Sequence, residues 1–61
     1  MKIKVIRGKQ NEEVYDGEWK RSSIPRQGDH ININDIGLSA IVSHVIYLYD
    51  MDRLVRVEVI I

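Results

Sequence analysis

Cysteine and phenylalanine are absent, proline occurs once, glycine occurs four times, and aromatic side chains make up only 7% of the 61 residues. Without cysteine the chain holds no disulfide and no thiolate-bound zinc, which excludes a stapled secreted mini-protein and a Cys-ligated metal module. No apolar run approaches the roughly 20 residues that span a bilayer. The N-terminal stretch Met1 to Lys9 alternates aliphatic with charged residues, where a secretion signal needs a continuous apolar core. A cytoplasmic protein without a membrane partner is therefore expected. An excess of either charge is missing too: nine basic residues balance nine acidic ones, and the pI is about 6.7. That balance argues against a protein dedicated to nucleic acid or a membrane surface through counterion release. A phosphate-cradling glycine loop and a spaced Ser/His/Asp set are also lacking, so no enzymatic activity and no cofactor are expected.

The balance of charge hides an asymmetry. Residues 1 to 28 carry seven basic and four acidic side chains (+3), and residues 29 to 61 carry two basic and five acidic ones (−3). Such a division favours attraction between the halves or between copies. A chain of this length buries only about 60% of the surface its unfolded state exposes. With no disulfide or metal to supplement a small core, self-association is expected on size alone.

The apolar residues alternate in short runs bounded by Gly, Pro, Asn and Asp, which is the strand pattern, and helical periodicity is almost absent. The chain reads as all-β, a single domain over residues 1–61. Ile3 and Val5 point inward from the first run, and Val14 to Trp19 forms a weaker strand or ordered loop. Pro25 holds Ile24 extended, and Gly28 supplies a positive φ in the turn that launches His30 to Asn34. Asn34-Asp35-Ile36-Gly37 then closes a hairpin. Leu38 to Tyr49 runs twelve residues without a breaker. At about 3.3 Å per residue it would extend roughly 40 Å, too far for a straight strand in so small a globule. It is expected to bend at Ser39-Ala40 or Ser43-His44 and join both sheets of a small barrel. Asp50 to Arg53 forms a solvated turn before the last strand, Leu54 to Ile61. The prediction is a five-stranded SH3-like or Greek-key barrel with a long bent central strand.

The run Ile24-Pro25-Arg26-Gln27-Gly28-Asp29-His30-Ile31-Asn32-Ile33, followed by Val42, Val45, Tyr47 and a closing Val-x-Val-x-Val strand, resembles short uncharacterised phage and bacterial small-barrel proteins. It covers about the C-terminal two-thirds of the chain. The resemblance implies the barrel fold and a mobile-element origin, without an activity.

Three groups of residues are weighed for function. His30 and His44 are the only histidines, and nothing in their spacing brings them together with Asp29, Asp50 or Asp52, so no metal site is expected. Uninterrupted alternation would bury His44 among aliphatic residues. A bulge at Ser43-His44 instead turns Val42, Val45, Tyr47 and Tyr49 inward and sends His44, Ile46 and Leu48 outward. Ile46 and Leu48 would then join Leu54 and Ile60 of the neighbouring strand as an oligomer interface, the alternative being that both faces are buried in one monomer. The third group is Tyr15, Trp19, Lys20, Arg21 and Arg26, where aromatic faces and cations suit a nucleotide or single-stranded nucleic acid. The simpler reading of that cluster is a Trp19 lid over the open end of the barrel. The leading expectation is a non-enzymatic binding protein, homo-oligomeric and partnered with itself or another protein. Binding of nucleotide or single-stranded nucleic acid, and a structural assembly role, are the alternatives.

Overall fold

Alternation of aliphatic and polar residues becomes strand throughout the computed structural model, which describes residues 1–20 and 23–61. Among these residues six strands form: β1 (Lys2–Arg7), β2 (Glu12–Glu18), β3 (His30–Ile33), β4 (Leu38–Ile41), β5 (His44–Asp50) and β6 (Arg53–Ile60). A single 3-10 turn, Asn34–Ile36, joins β3 to β4. No helix among the described residues is long and apolar enough to cross a membrane. The protein is all-β, as its sequence pattern requires.

Four strands make one sheet in the order β2-β1-β6-β5, and β3 with β4 makes a second, two-stranded sheet. Six strands in two open sheets replace the expected five-stranded closed barrel. The cause lies in the run from Leu38 to Tyr49, which breaks at Val42-Ser43. Val42 N donates to Asp29 O at 2.8 Å on one side, and Ser43 N donates to Ile60 O at 2.7 Å on the other. The chain thus passes from the small sheet to the large one, and the expected central strand becomes two. Parallel pairing of β1 with β6, Ile3 opposite Val57 and Val5 opposite Val59, sets the two terminal strands side by side in the middle of the large sheet. Alternation specifies which face of a strand is buried but not its direction, so this pairing leaves no mark in the apolar pattern.

One face of the large sheet supplies Ile3, Val5, Val57 and Val59, and the small sheet with the residue after it supplies Ile31, Leu38 and Val42. Each such side chain, fully buried, contributes about 1.5–3 kcal/mol. The turn before β3 seals this core. Pro25 is buried. Gly28, at φ 90°, donates to Val42 O at 2.9 Å, a backbone conformation at which other residues carry a steric penalty.

On the opposite face, Lys4 reaches Glu13 at 3.2 Å and Arg56 reaches Glu58 at 3.2 Å, and at the end of β1 Arg7 reaches Glu12 at 3.8 Å. Among the described residues every ion pair joins groups from the same half of the chain. Among them, no direct ion pair joins the +3 half to the −3 half.

Cover over the core face fails along β5. Val45, opposite Val59, is half-buried. Further along the same face Tyr47 is 45% exposed, Tyr49 64%, and Met51 in the following turn 94%. Tyr47 and Tyr49 do lie on the core face, opposite Val57 and Leu54, but the expectation that they are buried there is corrected: the small sheet stops short of them. His44 and Ile46 do face outward, with Leu48 half-buried beside them. The molecule exposes 4579 Å² in all. A folded monomer of its mass exposes about 4,100 Å².

Candidate functional site

Two regions present chemistry to solvent: the surroundings of Trp19 and the β5 side of the large sheet. Trp19 directly follows β2, where its backbone N donates to Met1 O at 2.7 Å and its indole Nε1 donates to Ser23 O at 2.9 Å. Both bonds fix the ring, which packs half-buried against the core. Open clefts lie on either side of it. One, about 370 Å³, is lined by Tyr15, Glu18, Trp19, Lys20, Asn32 and Asp35 among others. The other, about 520 Å³, runs along Ile24, Pro25, His30, Asn32 and Asn34. Their size falls within the range of small-molecule sites.

Tyr15 is aimed by its neighbour Gly17. A Cβ at Gly17 would lie 2.7 Å from the Tyr15 hydroxyl, so the missing side chain leaves room for the ring to fold back along its own strand. The structure therefore brings Tyr15, Trp19 and Lys20 to one cleft. Arg26 is absent from both cleft linings, held in the Pro-Gly turn where its N donates to Asp29 Oδ2 at 2.9 Å. Arg21 lies outside the described residues. Among the described residues, Glu18 and Asp35 set two carboxylates beside Lys20 in the smaller cleft, a balance that disfavours phosphate. Asn32 and Asn34 were not singled out from sequence. Their alternation with Ile31 and Ile33 was the available signal, because it puts amides on the solvent side of β3 and at the start of the turn after it.

The two histidines stand apart. His30 belongs to β3 and its Nε2 lies 2.7 Å from Ser39 Oγ across the small sheet, whereas His44 opens β5 in the other sheet. Among the described residues no three His, Asp or Glu side chains gather in a way that could hold an ion. Asp52 sits instead in the two-residue turn Met51-Asp52, with φ values of 50° and 67°.

The β5 side is apolar over most of its length. Register places Ile46 and Leu48 on the outer face opposite Glu58 and Arg56, with Ile60 opposite His44. Three of the four residues expected at an interface therefore share a face. Leu54 does not join them. It packs against the core, because β6 carries one extra residue, Val55, where the β5–β6 register shifts between Leu48 and Tyr49. Val55 is 44% exposed, as is Ile46. The shift makes Val55 a surface residue that strict alternation would bury.

Among the described residues β5 is also an edge strand, bonded only to β6. The other edge of the large sheet, β2, carries Glu12, Glu13, Asp16 and Glu18 along its length. Such charges guard an edge against pairing with another chain. Between its end residues β5 has no charge and no proline. Compared with models of protein families, with curated proteins and with solved structures, the chain matches none.

Proposed function

We propose that this protein is a non-enzymatic binding module whose first partner is another copy of itself. One observation carries the reading: the edge strand β5 is unguarded, and an apolar surface of Ile46, Tyr47, Leu48, Tyr49 and Val55 surrounds it. An uncharged edge beside exposed apolar residues is what natural monomers avoid. The excess of exposed surface adds to it. Two chains each shedding about 500 Å² would bury about 1,000 Å² together, the lower limit for a specific protein interface. Light scattering on a column eluate tests this association. A mass twice 7.1 kDa at high loading, falling towards the monomer on dilution, is expected; a constant monomer up to millimolar concentration contradicts it.

Binding of a nucleotide or single-stranded nucleic acid is the second reading. It draws support from the convergence of Tyr15, Trp19 and Lys20 on one cleft. Stacking on two aromatic rings would supply the affinity, since the described lining of the cleft offers little positive charge.

A further inference from the structure

Resting on the self-association proposed above, we infer that two copies pair antiparallel along β5, in a register centred on Tyr47, to give one continuous eight-stranded sheet. A two-fold axis normal to the sheet keeps each side chain on its own face. Residues that oppose each other across an antiparallel ladder share a face, so the axis must pass beside a residue rather than between two. Tyr47 is the midpoint of the seven-residue strand, and the only centre that pairs the whole of His44–Asp50 with its copy. Centring on Ile46 or Leu48 leaves two residues unpaired at one end.

Chemistry supports the same register. Centring on Tyr47 sets Ile46 against Leu48 of the second copy, Val45 against Tyr49, and His44 against Asp50. Every pair is matched: aliphatic with aliphatic on the outer face, aliphatic with aromatic on the core face, and an imidazole N–H able to donate to a carboxylate at each end. Cross-strand pairs of these kinds are the ones that stabilise antiparallel sheets. Both terminal groups are exposed, and among the described residues neither makes a hydrogen bond or ion pair within its own chain. Self-pairing of the opposite edge about its own midpoint, Tyr15, would set Glu12 against Glu18 of the second copy at both ends. The register shift at Leu48/Tyr49 places its extra residue on β6, so the free edge of β5 stays regular.

Because the chain has no cysteine, a single introduced thiol reports the register. Tyr47→Cys places two thiols directly across the ladder, where Cβ atoms approach to about 5 Å, and mild oxidation should link the copies. His44→Cys places them about 20 Å apart, six residues along the strand, and should leave them unlinked. Independently, His44→Asp should weaken the dimer about tenfold by setting two carboxylates together at each end, and His44→Asp with Asp50→His should restore it. Linkage at position 47 but not 44, with restoration by the exchange, supports the register. A dimer seen by light scattering that links equally at both positions, or ignores both charge variants, overturns the register and leaves self-association standing. Absence of any dimer in the unaltered protein overturns both.

Discussion

Tyr47 lies directly opposite Val57 across the β5–β6 ladder, yet Val57 is fully buried and Tyr47 is almost half exposed. The two side chains share one face of the sheet, so the difference comes from what lies above them. Ile31, Leu38 and Val42 cover β1 and β6, and nothing among the described residues covers the far half of β5 in the same way. A core of this size roofs the middle of its sheet and leaves an edge bare.

A lysine at Ile46 should therefore abolish association without harming the fold. Ile46 faces solvent, and a charge at the middle of an unguarded edge is the usual means by which monomers prevent pairing. Sedimentation velocity of Ile46→Lys should give a monomer at every concentration, with the far-ultraviolet circular dichroism of the parent. Undiminished association would place the contact elsewhere.

The β5–β6 turn holds Met51 and Asp52 at positive φ, a conformation that aspartate tolerates but that strains a side chain such as Met51 by about 1–2 kcal/mol. A two-residue hairpin of this kind favours Asn-Gly. Met51→Asn with Asp52→Gly should raise Tm by about 5–15 °C, as calorimetry would show. An unchanged Tm would mean that the strain is relieved in some other way.

Ile3, buried between β2 and β6, and Ile41, mostly exposed at the end of β4, should respond oppositely to truncation. Ile3→Ala should cost about 2–5 kcal/mol, a large part of the roughly 3–9 kcal/mol available to a chain of this length. Ile41→Ala should change stability by less than about 0.5 kcal/mol. Urea titration of the two variants distinguishes them.

Addition of a single-stranded oligonucleotide at low salt should leave Trp19 fluorescence nearly unchanged, because among the described residues Glu18 and Asp35 share its cleft with one cation, Lys20. A saturable change that weakens as salt rises would reverse the order of the two functional readings.

Much of the architecture was legible in the sequence. Alternation around Ile3, Val5, Ile31, Val57 and Val59 identified the inward faces, and the Pro25–Gly28 punctuation located the turn that seals the core. The excessive length of Leu38 to Tyr49 revealed that the chain must cross between sheets. What escaped was relational. Strand direction, and hence the parallel β1–β6 pair, has no signature in a period of two. The extra residue on β6, which turns Val55 outward and Leu54 toward the core, depends on a partner strand. Coverage of Tyr47 and Tyr49 depends on how far the second sheet reaches, a length set by β3 and β4, of four residues each. The cluster around Trp19 was legible in its residue types, but its charge was not, since Asp35 arrives from a distant turn.

Amide hydrogen exchange at two protein concentrations, one well below and one well above the dissociation constant, tests most directly that β5 is the surface of association. The outward-facing amides of His44–Asp50 should exchange freely when dilute and become protected when concentrated, while the amides of the β2 edge stay unprotected at both. Protection of β5 that does not change with concentration, or protection gained along β2 instead, would contradict it.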